Sequence, residues 1–544
     1  MCPGDTVIPR SLLLILFVAG NALAATETTL PLFESRPPSH RPLDEDEGLV
    51  VVSIATNALN LDGVDTLIVD NATARYRLRS VATVHARDYS LFVGGLPEGS
   101  YRVHAIEDRD AFRTLTLAGR NREMLGAFNV RRGQRCDLGR LVVTRLVFDP
   151  VMGRSDAVVD NASSLERFAP DSARMLPATS ACWSKTRDPK DIVAEYARFH
   201  PADAAVAVEL ADGRVAIPSG MGSVLIRALD GRWSVAHGDD MEQLMYVDDA
   251  PDSSLYAVGE LNALLKLGAD GRLHRLGTGE LPLGTILFID GDAKVGWHIV
   301  HQQGEELRLY RSDSLEQPVW TEIASAATGT NFWSAPDKFW VWPTAAGFAY
   351  AATDQGLIRF YDYATRTWTE RHAPKNNDII NIAHSPGGVI GILTSPGGGF
   401  QGFAASQFYS RDGGQTWLTI PESPYKIKVA APRVLTDGTL LVNGGVFGDS
   451  GLQASKDEGK TWVKISDKVG PTDFFWNLPR AGLFNFEKSQ TGIEFISHSG
   501  DGGATWTSEY MSVDRDMMRA YFQAKEEEEA ARKAARKNRR NGWR

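Results

Sequence analysis

Few residues of this 544-residue chain have the types and spacing that chemistry requires. His298 and His301 are three apart; in a strand that spacing sends them to opposite faces, so they are poor joint ligands for a metal ion. No H-E-x-x-H, phosphate-binding loop or C-x-x-C occurs, so no catalytic residue, metal or cofactor is assigned. Aromatic residues are the better candidates. Asn331-Phe332-Trp333-Ser334-Ala335-Pro336 and Phe474-Phe475-Trp476-Asn477-Leu478-Pro479 are similar stretches, and Trp340 and Trp342 follow the first. Such rings stack on a sugar or a peptide side chain, or pack against their own neighbours. Trp333, Trp340, Trp476 and the cation Arg433 are the candidate ligand-binding residues.

What positions them is a repeat. Ser410-Arg-Asp412-Gly-Gly414-Gln-Thr416-Trp417, Ser455-Lys-Asp457-Glu-Gly459-Lys-Thr461-Trp462 and Ser499-Gly-Asp501-Gly-Gly503-Ala-Thr505-Trp506 share S-x-D-x-G-x-T-W, with tryptophans 45 and 44 residues apart. The motif works as a turn staple. Asp accepts backbone N–H groups, Gly permits positive φ, Ser and Thr add side-chain bonds, and Trp packs between neighbouring sheets. Weaker copies run backwards through Trp368, Trp320, Leu273 and Trp233, giving seven anchors. A period of 40–50 residues with strand-and-turn content indicates propeller blades. The expected fold is all-β: a seven-bladed propeller over 184–510, preceded by a small β-sandwich over 47–146 and followed by a helical, basic tail over 511–544.

The remaining segments set the context. Residues 1–24 read as a signal peptide: Arg10, the apolar run Ser11 to Gly20, and Ala22-Leu23-Ala24 as the cleavage site after Ala24. No later stretch is long and apolar enough for a transmembrane segment. The expected location is therefore extracytoplasmic, periplasmic or secreted. Residues 25–46 and 147–183 read as linkers. In an oxidising compartment Cys136 and Cys182 pair as a disulfide or stand as two buried thiols. A net charge of −10 argues against nucleic acid as a partner. The tail is the exception: residues 525–544 carry eight Lys/Arg and four Glu, suited to a solvated helix or to docking on an anionic surface or an acidic partner.

The repeat is identified as the Asp-box (BNR) motif, so Ser410, Asp412, Gly414, Trp417 and their counterparts Ser455, Asp457, Gly459, Trp462, Ser499, Asp501, Gly503 and Trp506 take structural roles by that resemblance. The family includes sialidases, sortilin-type receptors and the photosystem II assembly factor, so the resemblance implies the fold and leaves the function open. Leu96-Pro97-Glu98-Gly99-Ser100-Tyr101 and Phe128-x-Val130-x-x-Gly133 resemble carboxypeptidase-regulatory β-sandwich modules, which implies an accessory domain. Sialidases carry Phe-Arg-Ile-Pro in the first blade; here the stretch is Val215-Ala216-Ile217-Pro218, and the missing arginine counts against that activity. The expectation is a non-enzymatic protein that binds a protein or glycan ligand at the propeller face or acts in assembly. The alternative is a sialidase-like glycoside hydrolase with an unrecognised site.

Overall fold

The structure is a computed structural model. It describes residues 30–512 except 36, 38–41, 57–63, 82–88, 109–112, 147–148, 156–160, 176–177, 180–181, 190, 199–205, 251–252, 305, 328–338, 353–355, 397–403, 446–449, 471–473 and 489–493. Beyond 512 it describes Arg519, Gln523, Glu526, Glu527, Ala530, Lys533 and Ala534, all helical and exposed. The signal-peptide stretch and the tail residues Met517, Met518, Tyr521 and Phe522 lie outside the described residues.

Two sheets open the fold. One orders its strands as Leu32–Ser35, Arg75–Arg79, Val64–Asp70, Gly99–Asp108 and Thr114–Thr116, and Ala127–Val130 also pairs with Gly99–Asp108. The other runs Asp149–Arg154, Arg135–Leu146, Glu47–Thr56, Tyr89–Pro97. They face each other across one apolar core containing Val50, Val52, Ile54, Leu67, Val69, Leu78, Phe92, Tyr101 and Phe128.

Both segments expected as linkers contribute to these sheets. Leu32–Ser35 pairs in parallel with Arg75–Arg79, and the buried Ser35 hydroxyl donates to the Gly95 carbonyl at 2.8 Å. In the second segment Asn161 donates its side-chain amide to Asp137 at 2.7 Å and to the Gly139 carbonyl at 2.9 Å. That anchor starts the helix Ala162–Phe168, whose Leu165 is buried. Ladder and amide bonds thus order segments whose composition alone reads as flexible. Cys136 and Cys182 are joined as a disulfide with Cα atoms 5.5 Å apart.

From Val208 onward, seven four-stranded antiparallel sheets follow one another among the described residues, each built from four consecutive strands. Each of the seven anchors lies within one residue of the start of the outermost strand of its sheet. Apolar clusters join each sheet to the next, and Val215, Ile217 and Leu225 of the first pack against Phe484, Phe486 and Ile496 of the last. A ring of sheets closed in this way is a β-propeller.

The three S-x-D-x-G-x-T-W hairpins are superposable in their bonding. Ser410 Oγ donates to Asp412 Oδ1 at 2.8 Å and accepts the Gly414 N–H at 2.6 Å, while Asp412 takes the Thr416 N–H at 2.8 Å and the Thr416 hydroxyl at 2.6 Å. The same four bonds recur around Asp457 and Asp501. Gly414, Gly459 and Gly503 have φ of 88°, 84° and 96°, where a side chain is strained.

The sandwich is seated directly on the ring. Ala55, Val142 and the helix Val193–Ala197 pack on Met221 and Met241, and Leu49, Val51 and Tyr89 belong to one cluster with Leu261. Arg140 forms a buried ion pair with Glu242, at 3.4 Å. All these ring residues lie in second-to-third-strand connections or in links between sheets. Because strands alternate in direction, such connections share one face of a propeller, and the remaining hairpins share the other.

Candidate functional site

The innermost strands of all seven sheets converge on the axis, and a cavity of about 1300 Å³ lies among them. Its lining also includes hairpin residues Ala345, Ala346, Gly387, Gly388 and Gly413, which belong to the face opposite the sandwich. Three of the four candidate residues meet here. Trp340 comes from the fourth sheet (Phe339–Thr344), Arg433 from the sixth (Arg433–Val434) and Trp476 from the seventh (Phe474–Leu478). Trp333 lies outside the described residues.

The wall combines aromatic rings with side-chain amides. Phe339, Trp340, Trp342 and Phe360 come from the fourth sheet, with Phe475 and Trp476 from the seventh. Trp342 stacks on the His384 ring with planes 6° apart at 6.1 Å. Asn477 donates to the Val434 carbonyl at 3.1 Å and Asn381 accepts the Ala431 N–H at 2.8 Å, so these amides also bind one sheet to the next. The Arg433 guanidinium lies 4.6 Å from the Phe475 ring centroid.

The charges are unevenly matched. Among the described lining residues the carboxylates are Glu209 and Asp362. Glu209 pairs with the Arg480 guanidinium and accepts the backbone N–H groups of Arg480 at 2.8 Å and Ala481 at 3.1 Å. Asp362 caps a turn through the Thr365 N–H at 2.8 Å and hydroxyl at 3.0 Å. Both are committed to the scaffold. Arg371 likewise donates to the Gly413 carbonyl and lies 4.2 Å over Phe360. Burial pushes Arg433 down to about 9 and, with the Arg433 charge, pushes His384 down to about 4, so His384 is neutral at pH 7. Both side chains still present surface to the cavity, so they are ringed by protein yet reachable.

A second polar cluster lies outside this lining. Asp290 on the third sheet's innermost strand accepts the Tyr363 hydroxyl at 2.5 Å. Asp248, on the adjacent innermost strand, hydrogen-bonds Asp290, and its carboxyl is pushed well up, first by burial and then by the Asp290 charge. Their contact disfavours ionisation of both carboxyls at once. Carboxyls in direct contact do not have the ~5–10 Å separation that glycoside hydrolysis uses. His298 stacks on Tyr363 at 4.4 Å and His301 reaches Asn262 at 3.0 Å, so the two histidines turn toward the fourth and second sheets.

Sequence reasoning named Trp342 and Asn477 with the candidate stretches but left them out of the final candidate set, and it missed His384 and Asn381. Their signal was present in the repeat. Each lies on the first strand of its unit, and aligning the units on that strand brings all of them to the axis.

No family model matches the chain, and no curated protein does. Among solved structures, YCF48 bound to a D1 peptide is similar at 13% identity over 54% of this chain and 92% of that one, with a TM-score of 0.37. YCF48 from Cyanidioschyzon merolae is 12% identical over 55% and 89%, with a TM-score of 0.34. A protein from Lactobacillus plantarum is 12% identical over 54% and 91%, with a TM-score of 0.39. At such identities the likeness bears on the fold alone.

Proposed function

We propose that this chain is a non-enzymatic binding protein that takes a segment of a partner protein into the axial cavity. The observation that carries this reading is the lining: aromatic walls from the fourth and seventh sheets, with both described carboxylates committed to the scaffold. Aromatic rings offer area at low entropic cost, and backbone amides of a guest strand find partners in Asn and Ser side chains. The sandwich holds the opposite face through buried contacts, so the partner approaches from the hairpin face. The signal-like first 24 residues and the disulfide support an extracytoplasmic setting. A glycan is the competing ligand class for the same walls. The hydrolase alternative has no free carboxylate pair in the described lining to support it.

The test is retention of mixed hexapeptide pools and of a neutral glycan array on the immobilised full chain. Retained peptides should weaken roughly tenfold or more with Trp340→Ala or Trp476→Ala, as expected for a buried aromatic anchor. Retention of glycans alone would overturn the protein-binding reading.

A further inference from the structure

Arg433 has no counter-charge among the described residues. Its guanidinium lies 4.6 Å from the Phe475 ring centroid, and the cavity's two described carboxylates are held elsewhere by Arg480 and by Thr365. A cation taken out of bulk water without a partner is an unrecovered cost, which burial of the guanidinium here reflects. The other arginines near the cavity do not share this state: Arg480 pairs with Glu209, and Arg371 donates to a backbone carbonyl. Arg433 differs in lining the cavity, half-buried, together with Trp342, His384 and Trp476 and with no ion pair among the described residues.

We infer that Arg433 is the anion anchor of the axial cavity and receives a carboxylate of the bound segment, while Trp340, Trp342 and Trp476 take its apolar part. This rests on the protein-binding reading above. The guanidinium fork matches a carboxylate with two parallel N–H donors, and among the described residues no carboxylate pairs with it. Two sources supply such a group: an Asp or Glu side chain, or a chain-terminal carboxylate.

His384 makes the site sensitive to protons. The titratable and charged groups that line the cavity with it are Glu209, Tyr246, Tyr361, Asp362, Arg371 and Arg433. Burial first, then the Arg433 charge, keeps His384 neutral. A carboxylate seated on Arg433 offsets that charge, raises the proton affinity of His384 and so couples binding to proton uptake.

The experiment uses three hexapeptide pools on the immobilised full chain: one uncharged and amidated, one with a free C-terminal carboxylate, one amidated with internal Asp or Glu. One or both carboxylate pools should be retained at least tenfold better than the uncharged pool, and which one tells the source. Arg433→Gln should abolish the preference, Arg433→Lys should keep part of it, and neither variant should lower the melting temperature, since no ion pair is broken. Retention should strengthen between pH 6.5 and 4.5 and lose that dependence in His384→Gln. Equal retention of all pools, unchanged by Arg433→Gln, overturns the anchor and leaves peptide binding standing. Retention of glucuronate but of no peptide, lost in Arg433→Gln, keeps the anchor and overturns the protein ligand. Marked unfolding of Arg433→Gln makes the residue structural and overturns the anchor.

Discussion

Arg227 and Glu509 face each other across the seam where the first sheet of the ring meets the last: Nε and Nη2 of the guanidinium donate to the two carboxylate oxygens at 2.6 and 2.7 Å. Glu509 also accepts the Trp233 indole N–H at 3.2 Å, and His498 lies 3.2 Å away. No strand crosses this seam, because every sheet is made of four consecutive strands. Side chains alone close the ring there. The pair is largely buried, with 11% and 12% of the two side chains exposed. Glu509→Gln keeps the shape and leaves a buried guanidinium without its charge, so urea unfolding should show a loss of roughly 3 kcal/mol. The Arg227→Met, Glu509→Leu double variant should lose less. A Glu509→Gln loss within the noise of the measurement would show that the apolar cluster of Val215, Ile217, Phe484 and Ile496, with the Arg480–Glu209 bonds, closes the ring without this pair.

The three S-x-D-x-G-x-T-W hairpins predict a second behaviour, at acid pH. Hydrogen bonds, first from the Thr hydroxyl and then from its N–H, hold the carboxyls of Asp412, Asp457 and Asp501 down to about 2. The unfolded chain protonates these groups near 3.9, so their contribution is complete above that value and is lost as pH falls toward 2. Replacing all three by Asn should lower the melting temperature at pH 7 and flatten its decline between pH 4 and 2. Peptide retention by the folded protein should be unchanged in Asp457→Ala, because the hairpin lies at the outer strand and away from the axis. A loss of retention without a loss of stability would give the hairpin a direct binding role.

A third prediction concerns a higher pH window. Burial pushes His298 and His301 down to about 4 each. Between about 6.5 and 4 the unfolded chain binds protons that the folded chain refuses, so stability falls as pH drops through that window and this contribution is constant above it. His298→Phe keeps a flat ring against Tyr363 and removes one titrating group. Its stability between pH 6.5 and 4.5 should fall less steeply than that of the parent. An identical slope would mean that the acid limb arises elsewhere.

The extent to which sequence revealed this molecule follows from what each signal measures. The ring was legible because the carboxylates of Asp412, Asp457 and Asp501 take their hydrogen bonds from their own hairpins, so the turn chemistry is written in eight consecutive residues. The strand Leu32–Ser35 and the helix Ala162–Phe168 were not legible, since they depend on partners far along the chain: Leu32 against Arg75, Asn161 against Asp137. The seating of the sandwich left a readable trace. Glu47–Thr56 is buried at every position, which alternation in a one-sided strand does not produce. Val50, Val52 and Ile54 face the sandwich core, while Leu49 and Val51 join Leu261 of the ring. In the site, residue type found Trp340, Trp476 and Arg433. His384 needed its stacking on Trp342, which no spacing in the sequence expresses.

The disulfide gives a fourth prediction. Cys136 and Cys182 are separated by 46 residues, and closing a loop of that size restricts the unfolded chain by roughly 4 kcal/mol in the chain-entropy picture. The bond also holds Trp183, whose N–H donates to the Leu138 carbonyl at 3.0 Å and whose ring lies under Arg154 at 3.7 Å. The Cys136→Ala, Cys182→Ala variant should unfold at lower urea through its sandwich, with the ring's transition less affected. Coincident shifts of both transitions would show that the buried Arg140–Glu242 contact makes the two regions unfold as one.

The tail provides the last prediction. Residues 525–544 carry eight Lys/Arg against four Glu, on a chain whose net charge is −10. The described positions Arg519, Gln523, Glu526, Glu527, Ala530, Lys533 and Ala534 are helical and exposed, as a segment rich in Ala, Glu, Lys and Arg favours. A helix this polar gains little from packing, so its removal should cost the ring little. Deleting 525–544 should leave the melting temperature within about a degree of the parent. The same deletion should weaken sedimentation with vesicles containing anionic lipid, because each basic side chain near such a surface contributes on the order of 1 kcal/mol. The difference between parent and deletion should shrink between 0.05 and 0.5 M salt, since roughly 10 Å of screening length at 0.1 M already separates surface charges and higher salt shortens it. Neutral vesicles serve as the control and should bind neither form. If the deletion lowers the melting temperature by many degrees, the tail is a strap on the ring and the electrostatic docking role is wrong. If vesicle binding is equal for both forms, the basic residues serve solubility alone.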